Sequence, residues 1–308
     1  MARSARPEEP ARPEIRHVAV ISDGSAGGAA RAVRPIEAAL TADAALLEGL
    51  ARVPLRAYPG AAPGIEQIVT LIGQLPDSVA AVFVTRTDPG HARAVQRRVE
   101  QAGGPPVLSD EDTSAIALTA AATAYLRRID RAPHNARILV AGAITMPILT
   151  PLLIASGFSD ITMWNSVDAP HLPLQRAARD ADVVLDVLPG PDATAGTDTA
   201  GLVMDRPEGS VINLRGLDDR FLVAPGLLRA LVDHPAGTFE LGVGLYQVCA
   251  AAVAAATPRR YRLPDLLHDP DTAAAITDAI AAGLHRASGR PEPGNGESRW
   301  SWRPGRRW

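Results

Sequence analysis

Few residues in this chain are equipped for chemistry, and their types exclude more than they allow. All 31 basic residues are arginine, and there is no lysine anywhere. A Schiff-base lysine, a phosphate-loop lysine and a lysine general base are therefore excluded. The histidines (His17, His91, His134, His171, His234, His268 and His285) are scattered, with no i,i+4 pair and no HExxH, which argues against a zinc hydrolase. Neither a GxSxG nucleophile elbow nor a GxxxxGK[ST] loop occurs. Cys249 is the single cysteine and sits in the apolar run VCAAAVAAA, so it reads as a small buried residue rather than a nucleophile. One thiol can form neither an internal disulfide nor a cysteine zinc cluster, and it fits a reducing interior.

Three short stretches remain. Asp23 and Gly24 end an apolar run, and Asp23 is expected to shape that turn by accepting from backbone N–H groups. The acidic stretch SDEDTSA around Asp110, Glu111 and Asp112 has two readings: a weak cation site of clustered oxygens, or a solvated cap on the helix that follows. GAITMP follows a strand pattern and is placed like a dinucleotide-binding turn, but only its first glycine, Gly142, is present. Ile144 takes the second glycine's place, where a branched side chain would intrude on phosphates. Pro147 takes the third and removes an N–H. Asn165 stands where an acidic residue would bond the ribose, and Asp168 lies three residues on.

The elements that would position these residues alternate between strand and helix. RHVAVISD, VPLRAYP and VAAVFVTR read as strands, separated by an alanine-rich helix near 36–52 and the amphipathic GIEQIVTLIGQL. GHARAVQRRVEQAG is a helix ended by Gly103–Gly104, and TSAIALTAAATAYLRRI (113–129) is apolar enough to be central and buried. RILVAG, ITMWN, ADVVLDVLPG and SVINLRG supply later strands, with PILTPLLIASG and the segments after Pro225 as helices. This alternation predicts α/β domains with parallel sheets. The 308 residues, 46% hydrophobic and 21% charged, suit two soluble domains of ordinary size. A net charge of −3 recruits neither nucleic acid nor a membrane surface. No apolar run approaches the ~20 residues of a membrane span, and nothing resembles a secretory or transit signal, so a cytoplasmic location is expected.

Taken together, VAVISDGSA with ADAALLEGLARV, PPVLSDEDTSAIALTAAATAYLRRI, RILVAGAITMPILTPLLIASGFSDITMWN and APGLLRALV resemble, in order and at similar spacing, conserved segments of the malic enzyme family. The resemblance covers roughly residues 16–285. It implies an α/β fold of two domains: a shortened malic-type N-terminal domain at 15–107 and a Rossmann-like, doubly wound parallel-sheet domain at 108–287. Residues 1–14 are expected to be a disordered lead-in and 288–308 a disordered tail, in which Trp300, Trp302 and Trp308 sit among arginines. The resemblance also implies NAD, Mg²⁺ or Mn²⁺, and a homo-oligomer, in its simplest form a homodimer.

The departures from the family pattern weigh against its chemistry. The resemblance leads one to expect no counterpart of the segment carrying the family's catalytic tyrosine, and its lysine position falls on Asp43, or on Ala45 without a gap. Each positioned acid–base group is worth ~10² to 10⁴ in rate. The family's adjacent metal-binding Glu and Asp match Thr85 and Arg86, while its third ligand matches Asp110. Arg86 and Asp110 are therefore expected to face one another in the interdomain crevice, the guanidinium standing in the metal's space and leaving the cleft able to attract an anion. The family's substrate-contacting Asn pair matches Asp219 and Arg220. Arg220 could clamp a carboxylate or form a surface salt bridge with Asp218 or Asp219. The candidate catalytic positions are thus Asp43, Asp110 and Arg220, the candidate cofactor positions Gly142, Ile144 and Asn165, and the candidate metal ligand Asp110. The sequence points to a malic-enzyme-like protein without oxidative malate decarboxylation that keeps its cleft for a small polar or anionic ligand or a non-catalytic role. A divergent enzyme with rebuilt chemistry on a small polar or carboxylated metabolite is the alternative, and an active NAD-dependent malic enzyme the second.

Overall fold

Two runs that bury every residue, HVAVI and VAAVFV, form the middle of a first sheet. A computed structural model describes residues 15–27, 34–59, 64–188, 206–213, 221–235, 238–259 and 270–288. In it β1 (His17–Ile21), β2 (Leu55–Ala57), β3 (Val79–Val84) and β4 (Val107–Ser109) pair in parallel, in the order β2-β1-β3-β4. A parallel sheet covered on both faces needs apolar side chains on both, so β1 and β3 read as unbroken apolar runs rather than alternating ones. Val18, Val20, Ala81 and Phe83 face one core, while Ala19, Ile21, Val82 and Val84 face a second, formed with α2 (Ile65–Gly73) and α3 (Pro89–Gln101). Helix α1 (Arg34–Ala51) covers the first face through Leu40, Ala44 and Leu47.

The second sheet is β5 (Arg137–Ala141), β6 (Asp160–Trp164), β7 (Val183–Asp186) and β8 (Val211–Asn213), also parallel, in the order β6-β5-β7-β8. Between the sheets runs α4 (Asp110–Arg128), buried along most of its circumference, as its apolar sequence predicts. The core that α4 joins contains Val18 and Phe83 from the first sheet and Ile138, Val140 and Leu185 from the second. Helices α5 (Leu149–Ala155) and α6 (Leu174–Ala178) flank the second sheet, and α7 (Ala224–Asp233), α8 (Val243–Ala256) and α9 (Pro270–Ser288) close the body. Within APGLLRALV, Gly226 lets α7 meet α9 closely. A Cβ there would lie 2.7 Å from Ile280 Cβ and 2.9 Å from the Thr277 carbonyl oxygen.

The predicted α/β architecture with parallel sheets is the one the structure has. Two elements were not anticipated, the three-residue β4 and the five-residue α6. β4 carries the first sheet as far as Ser109. Among the described residues no helix is long and apolar enough to cross a membrane. The expected lead-in and the Trp/Arg tail, apart from Ser288, lie outside the described residues.

Candidate functional site

Asp43 from α1, Thr85 and Arg86 from the end of β3, and Asp110 from the first turn of α4 come together. The Arg86 guanidinium does not pair with the Asp110 carboxylate, as the sequence suggested. It makes a bidentate pair with Asp43, Nε to Oδ2 at 2.7 Å and Nη2 to Oδ1 at 3.0 Å. Asp110 Oδ2 instead accepts from the Arg86 backbone N–H at 2.8 Å and from the Thr85 hydroxyl at 3.0 Å. The physical reason is the backbone of Arg86, which has φ +51° and presents its N–H to one carboxylate and its side chain to the other. A positive φ in a non-glycine residue costs about 1–2 kcal/mol, so the surroundings must enforce it. The Arg86 carbonyl is held in turn by Ala26 N–H at 3.2 Å and Ser22 Oγ at 3.4 Å. The hydrogen bonds that Arg86 donates to Asp43 chiefly, with smaller contributions from the Asp43 and Asp110 charges, raise the Arg86 pKa above its ordinary value against the effect of burial.

The residues at the metal positions do not fit a metal. One oxygen of Asp110 already accepts two donors, Thr85 brings a hydroxyl, and Arg86 brings a positive charge that a dication would have to displace from Asp43. Among the described residues no three His, Cys, Asp or Glu gather closely enough to hold a metal ion.

The dinucleotide-type turn is closed on itself. Gly142 N–H donates to Trp164 O at 2.7 Å, Ile144 N–H to Asn165 Oδ1 at 3.0 Å, and Thr145 N–H to Gly142 O at 2.9 Å. Met146 and Leu149 N–H groups bond Ala143 and Met146 carbonyls, and Pro147 has none. A pyrophosphate would need such N–H groups free, so this turn does not fit the phosphates of NAD. Gly142 adopts φ +90°, and a Cβ on it would meet the Val187 and Leu188 backbone at 3.0 Å. Its role is therefore the close approach of the turn to the end of β7. Asn165, besides holding Ile144, donates its own N–H to Asp168 Oδ2 at 2.8 Å.

The acidic turn is the cap of α4, but it is not solvated. Ser109 and Asp112 form a capping box, and Asp112 Oδ2 also accepts from Gln96 Nε2 at 2.6 Å. Burial raises the pKa of Asp112, opposed by its bonds to Ser109, Gln96 and Tyr246. Glu111 beside it is 7% exposed. Its Oε2 pairs with Arg93, while Oε1 has no hydrogen-bond partner. Burial raises the Glu111 carboxyl above its ordinary value, the Arg93 charge opposing. Cys249 is fully buried, and its thiol is pushed up to about 12 by desolvation.

Glu111 opens on the larger of two described cavities, about 740 Å³, which lies between the two sheets. Ser25, Asp88, Arg93 and Asp110 line it from the first half, Thr145 and Val187 from the second. Gly142, Ile144, Asn165 and Asp43 are not among its lining residues. A second cavity of about 550 Å³, lined by Gln96, Asp112 and Tyr246, shares Arg93 with the first. Arg220, with Asp218 and Asp219, falls outside the described residues.

One group at the cleft's edge was not anticipated. Asp23 accepts from the Ser25 backbone N–H at 2.9 Å, as expected of a turn-shaping aspartate, and also from the Ser25 hydroxyl at 2.6 Å. Its other oxygen meets His91 Nδ1 at 3.1 Å. Burial alone would raise the Asp23 pKa, but its bonds to Ser25, His91 and Thr87 outweigh this and lower it. The sequence signal was weak, because His91 lies 68 residues from Asp23.

Comparison with known proteins bears on this geometry. No protein-family model matches the sequence, and no curated protein matches it. Solved structures do match. An NAD-dependent malic enzyme from Thermotoga maritima aligns with a TM-score of 0.69 at 15% identity, covering 86% of this chain and 84% of that one. The malic enzyme of Entamoeba histolytica gives 0.67 at 14% identity, covering 88% and 70%, and that of Pyrococcus horikoshii 0.66 at 14%, covering 88% and 77%. The chain has the malic enzyme fold.

Proposed function

We propose that this chain is a malic-enzyme-like protein that does not carry out oxidative decarboxylation of malate and keeps its interdomain cleft for binding a small polar molecule. The bidentate Arg86–Asp43 pair carries the reading. The positions matched to the family's lysine and to one of its metal ligands are spent on neutralising each other. Neither is left to take a proton or to face a dication. The closed turn at Gly142 supports the same view of the nicotinamide cofactor. The test is direct: purified protein with NAD⁺ or NADP⁺, Mn²⁺ and L-malate is expected to form no reduced nicotinamide above background. Turnover that disappears when the cleft is blocked would overturn the proposal.

A second reading, an enzyme with rebuilt chemistry, is favoured by one observation. The Ser25 hydroxyl on the cleft wall is hydrogen-bonded to the buried Asp23 carboxylate, which also contacts the partly exposed His91. A hydroxyl held this way has a fixed orientation on the cleft wall and can meet a bound group with the same lone pair each time. Loss of turnover of a cleft ligand in Ser25→Ala would separate this reading from binding alone.

A further inference from the structure

The described lining of the cleft bears on what could occupy it. Its described charged lining residues are Asp88, Asp110, Glu111 and Arg93, three carboxylates against one guanidinium. That guanidinium is already paired with Glu111. No described lining residue therefore offers an uncommitted cation to an anionic ligand. Helix N-termini are the other usual anion sites, and the two that open here are occupied by the protein's own side chains. Asp88 caps α3 by accepting from Gly90 and His91 N–H, and Ser109 with Asp112 caps α4.

A second observation points to a donor. Glu111 is more than nine-tenths buried on the cleft wall, and its Oε1 accepts from nothing. A buried acceptor without a donor is a standing cost that a ligand N–H would remove. A bare dication does not match the arrangement, since hard cations need several oxygens gathered closely, and no such cluster exists among the described residues. An ammonium group matches better, because its three N–H donors can be shared between a carboxylate and the hydroxyls of Ser25, Ser114 and Thr145 around a larger space.

We infer that the cleft binds a small ammonium-bearing molecule, with Glu111 as its principal acceptor. The inference rests on the reading of the cleft as a small-molecule site, and it favours the polar ligand over the anionic one. It is tested with putrescine and succinate, which share a four-carbon length and carry opposite charge at both ends. Each is titrated into the full chain at low ionic strength by calorimetry and followed by thermal shift. Putrescine is expected to bind and raise the melting temperature, and succinate to do neither. Glu111→Gln should weaken putrescine by about tenfold or more. Ala26→Trp, a bulky change at an exposed cleft-lining position, should abolish binding. If succinate binds and putrescine does not, the charge argument falls while the cleft remains a ligand site. If neither binds, both fall. Putrescine binding indifferent to both substitutions would place it elsewhere on the surface and overturn the assignment. The matched pair on the unaltered chain decides the sign of the charge preference even if a variant fails to fold.

Discussion

Removing the Arg86 side chain tests whether the pair with Asp43 is a closed structural device. Asp43 has 5% of its side chain exposed and Arg86 29%, so the carboxylate is the more buried partner. Arg86→Ala would strip it of two charge-assisted bonds and leave a buried charge uncompensated. Breaking a fully buried pair costs roughly 3–5 kcal/mol. The partial exposure of Arg86 puts the expected loss at the lower end, about 3 kcal/mol. Alanine would inherit the positive φ, whereas Arg86→Gly would relieve it and recover about 1 kcal/mol. Asp43→Ala in the Arg86→Ala background should add little, because the buried charge leaves with it. The double-mutant cycle, read by urea unfolding, should therefore show a coupling of about 2 kcal/mol. A loss under about 1 kcal/mol for Arg86→Ala, with coupling below about 0.5 kcal/mol, would refute the reasoning. The guanidinium would then be free in solution, and its position open to a ligand after all.

Two further outcomes follow from the geometry. Gly142→Ala places a Cβ 3.0 Å from the Val187 and Leu188 backbone at φ +90°, and should destabilise by about 2 kcal/mol; denaturant midpoints that match wild type would contradict the close approach. Glu111 has its pKa raised above 4.5 in the folded state, so between that value and the raised one the folded chain holds the extra proton. Stability therefore falls as pH rises through this window, and Glu111→Gln should remove that part of the slope. Parallel stability–pH profiles for the two proteins would show that Glu111 is not so perturbed.

The strands β1, β3 and β5 were legible because a parallel strand buried on both faces is an uninterrupted apolar run, and few other structures of that length are. β4 was not, since three residues after Pro105–Pro106 carry no period to detect, and α6 is barely more than one turn. At the site, the sequence marked Asp43, Arg86 and Asp110 one by one but joined the wrong two. Arg86 is 43 residues from Asp43 and 24 from Asp110, and the choice between them depends on a backbone conformation that no local pattern announces. That the acidic turn caps α4 was readable from its charge ahead of a long helix. Its burial was not, because that comes from α3 and α8, which supply Gln96 and Tyr246. Glu111 was hidden for the same reason, as one more acid in a capping turn.

The placement of α4 has a last consequence. One apolar core runs from Val18 and Phe83, through Ile116 and Leu118, to Val140 and Leu185, so the two sheets share their interior along this helix. Each sheet also keeps a core of its own on its far face, so α4 couples the two halves without merging them entirely. The shared core should couple the unfolding of the two halves, with the amides of α4 among the last to exchange. A cut between the halves would yield two fragments, each missing the wall it needs. The cleft therefore opens beside the core that the two halves share, with Arg93 on its wall, and a guest that fills it would bear on both halves at once.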